Sequence, residues 1–366
     1  MDSKLKNIVS LLVGAIFVYL FAHRLDWAEV WTEVQKASAG QLGAAVLLFI
    51  GTYFVRVFRW RTLLDPMAHP PLRGLFRATV VGFSALFLMG RAGELIIRPA
   101  VLSVKEHVHP SASYATVMIE RVFDMVMVVV FFAVNLIFFE YIARDAEAMR
   151  VFGWVKVTGV FLLFVAAAGI YGLSVFRRRR DGVLAFLERK LSWLPHKVSR
   201  GLLSLLLHIS EGLAVLHDLR SLAITVSYTV LLWLMVAIAH LLVVRAFAIP
   251  YAAVPFTGAV FVMGLSMLGS VVPTPGGATG PFHAATSTAL VFLGVTQNKA
   301  ASVAIILHLV IFTPAMLFGM FYVFKEGLSF GRLRRIGERQ VEEVDSISLS
   351  GGEAETEEEK ALAAPG

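Results

Sequence analysis

Residues 301–324 read ASVAIILHLVIFTPAMLFGMFYVF, and this stretch decides the class of fold. A helix rises about 1.5 Å per residue, so about 20 apolar residues cross the hydrocarbon core of a bilayer. His308 is the only side chain in the stretch that can carry a charge. We therefore predict that residues 301–324 span a membrane.

Five further blocks of the chain are apolar in the same way: residues 8–22, 42–55, 125–139, 157–176 and 222–244. The 366 residues are 57% hydrophobic and 16% charged, whereas soluble domains carry about 25% charged residues. The chain contains no cysteine, which excludes disulfides and thiolate metal sites. The composition predicts an all-α polytopic membrane protein with about six full spans.

Charge is distributed unevenly along the chain. Residues 341–366 hold eight acidic side chains against Lys360, a net of −7; because the whole chain carries +7, residues 1–340 carry +14. A basic membrane body favours anionic lipid head groups, and an acidic tail without aromatic residues is typical of disordered chain. We predict a membrane domain over residues 1–330 and an acidic, disordered cytoplasmic tail over residues 331–366.

Basic residues favour the cytoplasmic ends of membrane spans. This rule assigns Arg56, Arg59 and the run 177–180 to the cytoplasmic face, and it places both termini there. The loops 23–40 and 140–150 are mixed or slightly acidic, and we predict them outside.

The same orientation requires residues 76–112 to enter and leave the membrane on one face, because a single span here would move the run 177–180 outside. We predict a re-entrant helical hairpin with arms near residues 76–89 and 95–104. Residues 182–218 have amphipathic periodicity, which predicts helices on the cytoplasmic surface.

Residues 255–296 follow a similar pattern from the opposite face, with arms near residues 256–272 and 281–293. Two re-entrant arms and two short spans both fit this segment. The order of spans and hairpins repeats in halves of about 1–140 and 150–330. This is the inverted-repeat pattern in which interrupted segments mark the binding site of a transporter.

The first polar cluster lies around the turn of the first hairpin and reads Gly90-Arg91-Ala92-Gly93-Glu94, followed by Arg98-Pro99. Charges at membrane depth are costly, so they pair, face water or hold a ligand. Glycines permit a sharp turn, and the planar fork of an arginine matches phosphate oxygens. We interpret Arg91, Glu94 and Arg98 as a phosphate-binding turn. The alternative is a cytoplasmic loop whose arginines touch lipid head groups in passing.

The second polar cluster is Glu120, Arg121 and Asp124. Glu120 and Asp124 are four residues apart and share a helix face, and Arg121 can pair with Asp124. Two compatible interpretations stay open. One is a structural ion pair that ties this helix to the hairpin through Arg91 or Arg98; the other is a switch or proton-linked site.

The third cluster is the turn of the second hairpin, with Pro273, Pro275, Gly276, Gly277 and Gly280-Pro281. Proline and glycine at membrane depth free backbone groups that protein, ligand or water must satisfy. A broken helix end also presents a partial charge to a head group. We interpret this segment as a broken helix; the alternative is a tight extracellular loop between two short spans.

His283 and His308 lie in otherwise apolar segments. A neutral, hydrogen-bonded core histidine is the more common case, and a proton carrier or pH sensor is the alternative. They are weak metal ligands, because no carboxylate is near either one in sequence. His107 and His109 are predicted to be solvated.

Taken together, the motifs resemble the flippase-like membrane domain of the lysylphosphatidylglycerol synthase family, over most of residues 1–330. They are Gly90-Arg91-Ala92-Gly93-Glu94, Arg98-Pro99, Glu120-Arg121-Val122-Phe123-Asp124 and Pro273-Thr274-Pro275-Gly276-Gly277. The resemblance implies a polytopic protein of a bacterial-type inner membrane, with two re-entrant regions, that moves lipids between leaflets. This chain has His283 where the family tends to have an acidic residue, and His308 where it tends to have an arginine. The family's synthase part is a separate cytoplasmic domain, which residues 325–366 are too short and polar to form.

We expect a lipid flippase or lipid-binding transporter for an anionic phospholipid or a related phosphate-bearing lipid. Its substrate-binding residues would be those of the three clusters and the two histidines. The alternatives are a membrane-embedded lipid transferase with Glu120 or His283 as base, and an accessory scaffold for a lipid-modifying enzyme. No catalytic domain or nucleophile motif is recognised, which favours a protein that is not an enzyme. We expect no cofactor, metal ion or nucleic acid; the expected partners are anionic membrane lipids, with a homo-oligomer or a lipid-enzyme partner left open.

Overall fold

The computed structural model describes residues 3–23, 25–138, 219–272 and 274–339, together with Val157, Val160, Phe161 and Phe164. The first half of the chain forms helices α1 (Ser3–Ala22), α2 (Trp27–Lys36), α3 (Ala39–Leu64), α4 (Leu72–Met89), α5 (Arg91–Glu106) and α6 (Pro110–Phe138). The second half forms α7 (Leu219–Ala246), α8 (Phe256–Gly269), α9 (Pro281–Phe292) and α10 (Gln297–Lys325), with a short helical turn at Pro275–Ala278.

Five of these helices are long and apolar enough to cross a bilayer: α3, α4, α6, α7 and α10. Helices α1 and α2 meet at an angle of 82°, and counting this bent pair as one span raises the number to six. The prediction of an all-α polytopic membrane protein is therefore confirmed. Helix α4 is longer than the predicted arm because it begins at Leu72, and its 18 residues suffice for a span.

The first predicted hairpin is present as the pair α4 and α5. The chain reverses at Gly90, whose φ of 76° lies in the left-handed region that glycine adopts without a steric penalty. Gly82 permits α5 to lie close against α4, since a Cβ there would stand 2.8 Å from the Cβ of Arg98. The depth at which this hairpin sits in a membrane stays a prediction.

The second hairpin is the pair α8 and α9. Ser266 Oγ and Thr286 Oγ1 are 2.7 Å apart and tie the two helices together by a hydrogen bond. Gly269 permits the close approach, because a Cβ there would meet the carbonyl oxygen of Pro281 at 2.6 Å. Both hairpins thus use a glycine at the helix contact, as polar and small residues do in membrane-helix packing.

The first hairpin is fastened to the last span at two levels. Near its tip, Ser84 Oγ donates to the carbonyl oxygens of Val80 and Ala315 at 2.9 Å. At its base, Arg77 pairs with Glu326 at 2.6 Å and with Glu106. These contacts make α4, α5 and α10 one packed unit, and they put the base of the hairpin beside the end of α10.

The ion cluster at this base also includes Lys105, whose Nζ lies 3.1 Å from Glu326 Oε2. Partial burial favours the protonated form of Glu326, but hydrogen bonds from Arg77 and Lys105 outweigh this effect. The pKa of Glu326 is therefore below its ordinary value of 4.5.

Residues 330–339 are helical, and Leu333 is buried. The predicted tail boundary at residue 331 is therefore too early, because this segment has an apolar side chain that packs into the hydrophobic core of the first half. The predicted amphipathic segment 182–218, the loop 140–150 and residues 340–366 lie outside the described residues, as does most of the predicted span 157–176.

Candidate functional site

A network of charged side chains lies buried where α3, α5, α6 and α7 meet. Arg59 of α3 is at its centre and is fully buried. Its guanidinium bonds Asp124 Oδ1 at 2.7 Å and Glu120 Oε1 at 3.3 Å, and it also donates to Thr229 Oγ1 at 3.0 Å. One arginine thus holds both carboxylates of α6 and a hydroxyl of α7.

Arg98 of α5 is also fully buried and meets the other oxygen of the same glutamate. Its Nη1 is 2.5 Å from Glu120 Oε2. The guanidinium carbon lies 3.9 Å from the ring centre of Trp60, which is a close cation–π contact. Trp60 is held in turn by donation from its Nε1 to Thr116 Oγ1 at 3.0 Å.

Arg121 and Arg56 close the network on its more exposed side. Arg121 Nη2 lies 3.3 Å from both Glu94 Oε1 and Asp124 Oδ2. Arg56 Nη1 lies 3.5 Å from Asp124 Oδ2. Residues far apart in sequence on α3, α5 and α6 are in this way joined through shared carboxylates.

The network has one more positive charge than negative. It contains four arginines (Arg56, Arg59, Arg98 and Arg121) and three carboxylates (Glu94, Glu120 and Asp124). Within the part of the chain that the structure describes, Nε and Nη2 of Arg98 and Nε of Arg121 have no hydrogen-bond partner, although they are buried. An uncompensated buried charge is costly, so this arrangement favours an anion.

The second polar cluster surrounds the turn between α8 and α9. The rings of His283 and His308 are 4.6 Å apart. His308 Nε2 lies 3.2 Å from the carbonyl oxygen of Gly277, and because a carbonyl only accepts, this nitrogen carries the hydrogen. The backbone N–H of Gly280 donates to His283 Nδ1 at 3.3 Å.

The turn itself is an irregular backbone. Gly276, Gly277 and Ala278 have φ of 71°, 67° and 63°, so three successive residues are left-handed. Such a conformation is costly for alanine, and it needs contacts that hold it in place. Helix α1 supplies some of them, because Phe17 Cβ and the carbonyl oxygen of Gly14 lie against Gly280.

Aromatic side chains of α4 lie between the two polar clusters. The guanidinium of Arg56 is 4.9 Å from the ring centre of Phe83. One helical turn further on, Phe87 lies 6.3 Å from the ring of His308. A cavity of about 110 Å³ adjoins this second contact; it is lined by Phe87, His308, Leu309, Phe312, Thr313, Met316 and Leu317.

The structure brings the first two predicted clusters together and leaves the third apart. Glu94 and Arg98 are buried at 2% and 0% exposure, so they do not form a solvated loop. The predicted pairing of Arg121 with Asp124 and of Arg98 with Glu120 is confirmed. His107 and His109 are exposed, as predicted.

Two predicted site residues are not described well enough to place in either cluster. Arg91 begins α5, but its side chain lies outside the described side chains. Pro273 lies outside the described residues altogether.

The positive-inside rule assigned Arg56 and Arg59 to the cytoplasmic surface, but the structure does not place them at a surface. Both are buried within α3, at 7% and 0% exposure. A signal was present in the sequence: they lie three residues apart, on one face of an apolar helix that continues to Leu64. Charges in that position need buried partners, and the carboxylates of α6 are the available ones.

These features define a multi-pass helical membrane protein with an ionic site buried among its helices. The family model for the lysylphosphatidylglycerol synthase TM region matches residues 7–319, and the chain belongs to this family. Comparison with curated protein sequences gives no match. Family membership supports a role that involves membrane lipids.

Proposed function

We propose that this protein carries an anionic phospholipid from one leaflet to the other, and that the phosphate of the head group binds in the buried ion network. One observation carries the proposal. The network has an excess positive charge, and Arg98 is fully buried with guanidinium N–H groups that have no partner among the described residues. A phosphate supplies both the missing negative charge and several acceptor oxygens.

The arrangement of the carboxylates suggests how a head group would be bound and released. Glu120 and Asp124 each contact two or more arginines. A phosphate can replace one carboxylate as the partner of Arg98 or Arg121 without leaving either arginine unpaired. Exchange between nearly equivalent partners keeps the network neutralised while the lipid passes, and this avoids the cost of a bare charge in a low-dielectric site.

The turn between α8 and α9 would act as the opposite gate. Its left-handed residues hold the Gly277 carbonyl toward His308, and α9 begins beside it with backbone N–H groups of its first turn. Phe83 and Phe87 separate this gate from the ion network. A head group would therefore leave the arginines by passing aromatic faces rather than a second fixed charge.

The proposed setting is a bacterial-type inner membrane with both termini in the cytoplasm. Under that orientation, the base of the first hairpin and the end of α10 face the cytoplasm, because Arg77 and Glu326 join them. The ion network would then take lipid from the cytoplasmic side, where basic residues and anionic lipids coincide.

Leaflet-resolved transport in proteoliposomes tests this function. Fluorescent phosphatidylglycerol and phosphatidylcholine would be followed by surface quenching, with the wild-type chain and with Arg98→Lys. We expect phosphatidylglycerol to move faster than phosphatidylcholine. Arg98→Lys should reduce its rate by roughly tenfold, because lysine keeps the charge but loses the planar fork. Equal rates for both lipids, or an unchanged rate in the variant, would contradict the proposal.

A further inference from the structure

The helical segment 330–339 carries a group of arginines that the ion network does not use. Arg332, Arg335 and Arg339 are exposed and follow an i, i+3, i+7 spacing, so they lie on one helix face. They line a pocket of about 270 Å³ together with Ile336. None of the three has a carboxylate partner among the residues that the structure describes.

A fourth arginine on the same segment shows the contrast. Arg334 Nε pairs with Glu338 Oε1 at 2.7 Å, so the acidic residue of the segment is already occupied. Arg335 has only a backbone contact, from its Nε to the carbonyl oxygen of Gly331 at 3.3 Å. The pocket is therefore lined by three guanidinium groups whose charge nothing nearby neutralises in the described chain.

The opposite face of the segment fixes it to the first hairpin. Leu333 is buried in the core cluster that includes Ile97 and Leu102 of α5. Gly337 lies so close to α5 that a Cβ there would stand 2.7 Å from the carbonyl oxygen of Ile96. Since Ile96 is two residues before Arg98, the segment packs directly behind the buried ion network.

The position of the segment relative to α10 indicates which anion can reach it. Helix α10 is a candidate span that ends at Lys325, and the segment begins five residues later. Five residues reach at most about 18 Å, so the arginine pocket lies near the bilayer surface at that end of α10. Lipid head groups are the anions concentrated at that surface.

We propose that Arg332, Arg335 and Arg339 form a second binding site, at the membrane surface, for the phosphate of an anionic phospholipid head group. This site captures the lipid beside the hairpin that carries Arg98. The inference goes beyond the proposed function, because equilibrium binding here does not require that the head group cross the membrane.

Binding of lipid to the purified full-length chain tests the site. Native mass spectrometry would titrate phosphatidylglycerol and phosphatidylcholine against the wild-type chain, the triple variant Arg332→Gln/Arg335→Gln/Arg339→Gln, and the matched control Arg334→Gln. We expect the triple variant to weaken phosphatidylglycerol binding by roughly tenfold or more. The control should bind as the wild type does, because Arg334 is neutralised by Glu338. Equal loss in the control, or no loss in the triple variant, would overturn the site.

Two further variants distinguish lipid capture at this pocket from occupancy by the chain's own acidic residues and from transport through the ion network. If the acidic residues that follow the segment were its occupant, Glu342→Gln/Glu343→Gln/Asp345→Asn would be required before phosphatidylglycerol binds, and that result would also overturn the proposal. Arg98→Lys should leave binding at the surface site intact while slowing transport. Failure of the proposed function and failure of this site are thus distinguishable.

Discussion

Arg98 of α5 and Glu120 of α6 form the closest ion pair of the buried network, with Nη1 and Oε2 2.5 Å apart and both side chains completely buried. The pair joins the first hairpin to the helix that follows it. Glu120 also contacts Arg59 of α3, so one carboxylate holds three helices together. Stability and binding therefore depend on the same side chains.

Removal of one partner of this pair should destabilise the protein more than removal of both. Arg98→Met leaves Glu120 without its closest cation, which costs about 3–5 kcal/mol in buried pairs. The double variant Arg98→Met/Glu120→Gln removes both charges and should recover part of that loss. Thermal unfolding in detergent would measure it. A double variant less stable than Arg98→Met by the full Glu120→Gln effect would show that the two residues are not coupled.

Close packing of the first hairpin depends on Gly82. In Gly82→Ala the new Cβ would meet the Cβ of Arg98 at 2.8 Å, so α4 and α5 must separate. We expect a loss of about 1–3 kcal/mol. Gly43→Ala is the matched control, because nothing lies within 4 Å of a Cβ there and alanine favours a helix. If thermal unfolding showed both variants to be equally stable, the close approach of the two helices would be refuted.

The turn at residues 274–280 should loosen when His308 can no longer donate to Gly277. In His308→Leu the side chain keeps a similar apolar bulk, but the Gly277 carbonyl loses its N–H partner. Hydrogen exchange of the amides of residues 276–280 should be faster, by about tenfold for a lost hydrogen bond of roughly 1 kcal/mol or more. His109→Leu, at an exposed position, should leave this exchange unchanged. Unaltered exchange in His308→Leu would mean that the histidine does not hold the turn.

The ion cluster at the base of the hairpin should give a pH-dependent stability. The folded-state pKa of Glu326 lies below its ordinary value of 4.5 because Arg77 and Lys105 hold its charged form. Its stabilisation is thus fully present above about pH 4.5 and is lost as pH falls through the lower folded-state pKa. The difference in unfolding temperature between the wild type and Glu326→Gln should be large at pH 6 and shrink toward pH 3. A difference independent of pH would contradict this assignment.

The sequence predicted the parts of the site that depend on local spacing. Glu120, Arg121 and Asp124 are within one helical turn of each other, so their shared face followed from helix geometry alone. Gly90 marked the hairpin turn for the same local reason. Arg98 was expected to pair with α6 because a charge at membrane depth needs a partner.

Contacts between distant helices were not predictable in the same way. Arg56 and Arg59 were placed at a surface because the positive-inside rule reads charge along the chain and cannot see that α3 packs against α6 and α7. The closeness of His283 and His308 depends on how α9 meets α10, which hydropathy does not specify. Residues 330–339 were included in the tail because their composition is strongly basic, whereas Leu333 and Gly337 fit the surface of the hairpin.

The most direct test of the central claim is the initial rate of phosphatidylglycerol movement between leaflets for the double variant Arg98→Met/Glu120→Gln in proteoliposomes. The double variant removes one positive and one negative charge, so the net charge of the network is unchanged while the proposed phosphate ligand is lost. Its folded state would be verified by thermal unfolding before reconstitution. We predict that lipid movement falls to the rate of protein-free liposomes. Movement at the wild-type rate by the folded double variant would contradict the claim that the head group binds at Arg98.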